Sequence, residues 1–207
     1  MKYQEEKDGG HLQIVNDTLE IGLDEVGRGC IFGPVFSAII VISKKNGRKL
    51  IELGLDDSKK LSIKAREILI PDIYSLSEDW GIGQSSAREI DKFGIRYATE
   101  LSMIRAIEKL RDKPLQLMID GSLPLRLWNG KQTNIIHGES KYPSIAAASV
   151  LAKVKRDELM RRIGESCKVY FLHKNNGYGT KEHFAAIKTF GLNNMHRKTF
   201  LRKSNIV

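Results

Sequence analysis

The sequence predicts an α/β fold built on a mixed sheet, and three observations lead there. The β-branched run GPVFSAIIVIS (33–43) reads as a strand, and it follows the apolar stretch of TLEIGLDEVG (18–27) so closely that the two form a hairpin, hence an antiparallel pair. Later strand-like runs are separated by stretches with helical spacing, the pattern of a sheet covered by helices. The chain has 207 residues, 41% of them hydrophobic, which suits one domain with a full core or one domain with a small appendage.

Residues 1–17 are polar and read as a loose lead-in. After the two strands, KKNGRK is a turn signal. LDDSKKLS (55–62) is a polar loop whose Ser62 can cap a helix running to about residue 70, with Pro71 marking a break. WGIGQSSAREID gives a short strand and a loop. A helix over 89–111 follows, with Ala98, Leu101, Ile104, Ile107 and Leu110 at helical spacing. LQLMIDG (115–121) is a buried-type strand ending in Asp120, and TNIIHGE (133–139) is another, ending near Glu139. SIAAASVLAKVKRDELMRRI (144–163) is a strong helix with Ser144 as its cap after Pro143, and its alanines at 146–148 point to close packing. KEHFAAIKTFG (181–191) is a last helix closed by Gly191.

Lys and Arg number 34 against 25 Asp and Glu, a formal charge of +9 that favours an anionic partner, nucleic acid first. A lysine-rich surface with no such partner gives the same balance. No apolar run approaches the roughly 18–20 residues of a membrane span, and the N-terminus has no apolar centre of a signal peptide. A cytosolic protein is expected. Two cysteines, Cys30 and Cys167, and five scattered histidines give neither a disulfide framework nor zinc spacing. Carboxylates remain as candidate metal ligands, and His137 reads as structural.

Acids stand at three strand ends: Asp24 with Glu25, Asp120, and Glu139. Singly, each could be a solvated loop residue. Gathered at one sheet edge they would repel and titrate upward unless cations bind. Mg²⁺ takes oxygen ligands, and two such ions about 3.5–4 Å apart can activate a water and stabilise a leaving oxygen. Successive strand residues face opposite ways, so Asp24 and Glu25 cannot share a face of a regular strand. Gly27 and Gly29 suggest that the strand has already ended, leaving Glu25 either to swing round or to offer its backbone carbonyl. Gly27-Arg28-Gly29 is either a tight turn with an exposed arginine or a place where a nucleic-acid backbone approaches closely and Arg28 meets phosphate. Ser58, Lys59 and Lys60 could bind phosphates from a loop that is otherwise plain surface. Tyr178, between two glycines, can offer its ring for stacking.

The segments GLDEVGRGCIFGPV, LDDSKKLS, EIDKFGIRYATELSMIRAI, IDGSLPL, SIAAASVLAKVKRDELM, GYGTKEHFAAI and HRKTF occur in an order that resembles bacterial ribonuclease HII over roughly residues 20–200. The resemblance implies a ribonuclease H-like mixed β-sheet flanked by helices over 18–165. It also implies a small C-terminal helical extension over 166–207 that contributes to substrate binding. It implies an endonuclease, monomeric and dependent on Mg²⁺ or Mn²⁺, that cuts the RNA strand of RNA/DNA hybrids. Such an enzyme also cuts 5′ of single ribonucleotides embedded in duplex DNA, leaving 3′-hydroxyl and 5′-phosphate ends. By the same resemblance Asp24, Glu25 and Asp120 hold metal, Gly27, Arg28 and Gly29 read the 2′-hydroxyl, and Tyr178 stacks at the RNA–DNA junction. Ser58 and Lys59 fall in the loop near the substrate backbone. Glu139 stands where the family usually has aspartate, one methylene longer, and the loop carrying Tyr178 is slightly long. Two rivals stay open: a hybrid-binding protein whose Glu139 no longer supports cleavage, and a proofreading exonuclease. The Gly-Arg-Gly and Gly-Tyr-Gly segments favour internal ribose recognition over an exposed end.

Overall fold

In a computed structural model, residues 19–202 are described, so the lead-in expected at 1–17 lies outside the described residues. Five strands form one sheet in the order β3-β2-β1-β4-β5. β1 (Leu19–Val26) pairs antiparallel with β2 (Val35–Ser43), and β2 with β3 (Asp79–Ser85). β4 (Gln116–Asp120) lies parallel to β1, and β5 (Lys131–Ile135) parallel to β4. The sheet is therefore mixed, as the hairpin implied.

Helices cover both faces. On one face α4 (Pro143–Ser166) lays Ala146, Ala147 and Val150 against Ala38, Ile40 and Ile42. Alanine there lets helix and sheet approach closely, and α1 (Lys44–Glu52) and α2 (Ile63–Leu76) add Leu50, Leu69 and Ile73 to the same core. On the other face α3 (Ala87–Ile107) packs Met103, Ala106 and Ile107 on Leu23, Ile39, Leu117 and Ile119. Beyond α4 come α5 (Leu172–Asn175), α6 (Lys181–Phe190) and α7 (Lys198–Leu201). Their apolar residues share a core with Ile31, Phe32 and Met160, so this segment packs directly on the β1–β2 connection.

Several boundaries differ from the sequence expectation. KKNGRK is not a turn but the body of α1, because the Ser43 hydroxyl accepts from the Asn46 N–H and starts a helix there. Pro71 does not break α2. It is exposed, as is Glu67 one turn back, so water can satisfy the carbonyl that Pro71 leaves free. α3 starts earlier than expected, with Ser86 and Glu89 forming a reciprocal capping box, and it kinks at Gly94 and ends at Ile107. α4 begins on Pro143 rather than being capped by Ser144. β5 stops at Ile135, and Glu139 sits beyond it in a 3₁₀ turn, Gly138–Ser140.

Candidate active site

β1 carries Asp24 and Glu25 within the regular strand, which runs on through Val26, so the strand does not end before Glu25. The alternation rule holds. Val26 joins the α4-side core and Leu23 the α3-side core, so Asp24 faces α4 and Glu25 the opposite way. Glu25 turns instead toward Arg28, whose Nη1 lies 3.2 Å from Glu25 Oε1. Asp24 is 6% exposed. Its Oδ1 accepts from the Glu25 N–H at 2.7 Å, and the Ser149 hydroxyl of α4, nearby, works to hold its carboxyl down. Burial, then the charges of Glu25 and Asp120, push the Asp24 carboxyl well above the usual range.

Parallel pairing of Leu23 with Ile119 sets Asp120 beside Asp24 at the sheet's carboxyl edge. Asp120 Oδ1 accepts from the Gly138 N–H at 2.8 Å, which ties the 3₁₀ turn to the end of β4. Burial, then hydrogen bonding with Glu139, push Asp120 up to about 6. Burial also raises Glu139, but hydrogen bonds from Asp120 and from its own backbone, together with the Lys59 ammonium, outweigh it and hold the carboxyl below its ordinary range. Lys59 Nζ stands 3.5 Å from Glu139 Oε1 while its side chain stays 80% exposed. Burial lowers the Lys59 ammonium, yet the charges of Glu139 and Asp57 more than offset that and raise it. His137 contributes its backbone: its left-handed φ of 56° opens the turn, and its carbonyl accepts from Ser140.

The neighbouring loop brings Gly27, Arg28, Gly29 and Tyr178 side by side, while Ser58 comes from the segment between α1 and α2. Gly27, Arg28 and Gly29 lie directly after β1, and Tyr178 comes up beside them from the segment between α5 and α6. A Cβ on Gly29 would sit 4.0 Å from Tyr178 Cε1 and meet nothing nearer, so open space lies in front of it. Gly27 is different: at φ 89°, a Cβ there would lie 2.2 Å from Arg156 Nε. The room made by that missing side chain is filled from within the protein. Tyr178 is 43% exposed, and burial, then the neighbouring Cys30, hold its phenol above the usual value. Ser58 turns inward, 5% exposed, with its hydroxyl 2.9 Å from that of Ser149. Its side chain props Ser149, and through it Asp24, from below.

The ribonuclease HII family model matches residues 21–203. The chain belongs to the ribonuclease HII family. A ribonuclease HII of Prochlorococcus marinus (strain MIT 9515) is 59% identical over 204 residues, spanning 99% of this chain and 98% of that protein. Ribonuclease H2 from Pyrococcus horikoshii OT3 superposes with a TM-score of 0.77 at 23% identity, covering 91% of this chain and 96% of that one, which shows the shared fold. The Bst ribonuclease HIII in complex with Mn²⁺ superposes with a TM-score of 0.67 at 19% identity, covering 90% of this chain and 66% of that one. As a ribonuclease HII the protein is a metal-dependent endonuclease that cleaves the RNA strand of RNA/DNA hybrids.

The carboxylates fit a divalent cation. The charge of Glu25 reaches both Asp24 and Asp120 and raises their affinity for protons, and Glu139 Oε2, on the far side of Asp120, is buried without a hydrogen-bond partner. An orphaned buried oxygen beside three more acids is a donor set for a hard cation. Among the described residues no three of these side chains already converge as a closed ligand cluster. Three residues the sequence reading did not single out stand behind these loops: Ser149 beside Ser58, and Arg156 and Arg197 bonded to the carbonyls of the 27–34 loop. The readable signal was position. Arg156 lies one turn beyond the buried Ala152 and is itself fully buried, a charge on the packed face of a helix.

Proposed function

We propose that this ribonuclease HII also cuts 5′ of a single ribonucleotide embedded in duplex DNA, with Asp24, Glu25, Asp120 and Glu139 holding two divalent cations, Mg²⁺ or Mn²⁺. When bound, such a pair supplies an activated water and stabilises the leaving oxygen, giving 3′-hydroxyl and 5′-phosphate ends. One observation carries the reading: the half-exposed ring of Tyr178 stands against the open side of Gly29, one residue from Arg28, whose guanidinium touches Glu25. A stacking surface, a phosphate-binding arginine and a metal-site acid thus occupy one loop cluster. RNA and DNA differ at the cut by the 2′-hydroxyl alone, so the group that reads it must lie beside the scissile phosphate.

Within that arrangement Gly29 gives the ribose access to the backbone and Arg28 holds the phosphate. Tyr178 packs on the sugar or base at the junction. Lys59, exposed beside Glu139, reaches the next backbone phosphate along the strand. Ser58 acts indirectly through Ser149 and Asp24. The segment after residue 165 forms part of the substrate surface, since it supplies Tyr178. The test is a labelled DNA duplex carrying one ribonucleotide, incubated with Mg²⁺, Mn²⁺ or chelator. Incision 5′ of the ribonucleotide with either metal and none with chelator is the expected result. Cleavage of long hybrids with no incision of this duplex would refute the reading.

A further inference from the structure

Two arginines lie fully buried behind the Gly-Arg-Gly loop, and among the described residues neither meets a carboxylate. Arg156 donates Nε to the Pro34 carbonyl at 3.1 Å, Nη2 to Phe32 at 3.2 Å and Nη1 to Asn176 at 2.8 Å. Arg197 donates Nε to the Gly33 carbonyl at 2.9 Å and Nη1 to the Arg28 carbonyl at 2.9 Å, while its Nη2 is buried without a partner. A guanidinium offers five N–H donors in a rigid planar fork, so each arginine fixes the distances between the carbonyls it holds. Arg156 therefore joins the 27–34 loop to the turn bearing Tyr178. Arg197 joins the Arg28 peptide to the far end of the same loop.

Three glycines line Arg156, and for Gly27 it is the nearest neighbour. Gly27, Gly33 and Gly177 have φ of 89°, 80° and 84°, and a Cβ on each would lie 2.2, 3.9 and 3.3 Å from an Arg156 guanidinium nitrogen. All three surround the same side chain. The Gly177 carbonyl also accepts from the Ile31 and Phe32 N–H groups, at 2.9 and 3.1 Å. Arg28 and Tyr178 thus stand on two segments whose separation is fixed by guanidinium bonds and by this short backbone bridge.

We propose that Arg156 and Arg197 are positioning residues for ribonucleotide recognition, which set the spacing between Arg28 and Tyr178. The inference rests on Tyr178 acting at the junction, as above. A long hybrid offers many registers and tolerates a shifted gap, whereas a single ribonucleotide offers one. Lysine at either position keeps the charge and loses the fork.

The experiment measures kcat and KM for Arg156→Lys and Arg197→Lys on a long hybrid and on the single-ribonucleotide duplex, with thermal melting to correct for folded fraction. Each variant is expected to lose at least tenfold more kcat on the single-ribonucleotide duplex than on the hybrid. Combining Arg156→Lys with Tyr178→Ala should cost no more than the worse single change, because the arginine acts through the tyrosine. Equal losses on both substrates, or multiplying losses in the double variant, would overturn the proposal while leaving Tyr178 selectivity intact. If Tyr178→Ala alone shows no selectivity, the junction reading falls and this inference with it. If neither lysine variant folds at 10 °C, the pair serves folding alone and the proposal is overturned.

Discussion

Replacing Asp120 by Asn should make the metal-free protein more stable while abolishing cleavage. Asparagine keeps the shape and can still accept from the Gly138 N–H, now at 2.8 Å from Asp120 Oδ1, and its amide can donate to Glu139. What it removes is a charge the apo fold disfavours. The Asp120 carboxyl is held at about 6 against an ordinary 3.8, first by burial and then by Glu139. A raised folded-state value means that its stabilising contribution is present below 3.8 and is lost as pH rises through about 6. The full shift corresponds to about 3 kcal/mol. Partial exposure reduces that to about 1–2 kcal/mol, or about 3–6 °C in melting temperature for a chain of this length. Thermal melting in chelator at pH 8 and pH 4 checks it: the variant should melt higher at pH 8, and the gain should shrink at pH 4. Mg²⁺ should raise the parent's melting temperature by mass action and leave the variant nearly unmoved. A variant no more stable than the parent at pH 8, or equally stabilised by Mg²⁺, would refute the assignment of Asp120 as a cation-holding carboxylate.

Tyr178→Ala should slow incision at a single ribonucleotide more than cleavage of a long hybrid, read as the ratio of kcat/KM on the two substrates, since a stacking contact is worth roughly 1–3 kcal/mol. Glu139→Gln should lower activity at least a hundredfold, and Glu139→Asp should retain it with a changed Mg²⁺/Mn²⁺ ratio, both measured by steady-state cleavage in each metal. Ser149→Ala should raise the pH at which activity appears, because its hydroxyl lowers the buried Asp24 carboxyl; a pH–rate profile reads this. Burial and the neighbouring His183 hold His196 down at about 4, so its contribution to stability is present above 6.5 and lost as pH falls through about 4. Between pH 7 and pH 5 that amounts to about 2 kcal/mol, and His196→Gln should lose correspondingly less stability on acidification in denaturant titrations.

The sheet, its mixed character and the main helices were legible because periodicity and capping report them directly. Asp24, Asp120 and Glu139 stood out as acids ending apolar runs, and the structure brings them to one edge. The α1 helix was hidden because Asn46 and Gly47 imitate a turn. Gly47 is tolerated where it is because a Cβ would already sit 3.0 Å from Pro143 Cβ, so tertiary packing overrides propensity. The division of labour between the glycines was also out of reach. Gly27 and Gly29 look alike in sequence, yet one is occupied by Arg156 and the other is open. Only the distant position of Arg156 on α4 separates them. The inward turn of Ser58 was likewise invisible, since its partner Ser149 lies 91 residues away.

On the proposed function, the placement of Glu139 bears on how a longer acid could serve there. An acid on a regular strand has its reach fixed by the pleat, and one extra methylene would carry its oxygens past a metal held at about 2.0–2.1 Å. Glu139 is not on a strand. It stands in a 3₁₀ turn that is tied to β4 through the Gly138 N–H and Asp120, and entered through the left-handed His137. A turn of this kind lies outside the sheet ladder. Its position is set by Asp120 at one end and by the start of α4 at the other, where the Tyr142 N–H donates to the Gly138 carbonyl at 2.9 Å. With Glu139 as the proposed fourth ligand, the turn, rather than the sheet, would be the segment to absorb the extra methylene. Asp24 and Asp120 are placed differently, because ladder pairs hold both: Asp24 opposite Ala38 and Asp120 opposite Ile135.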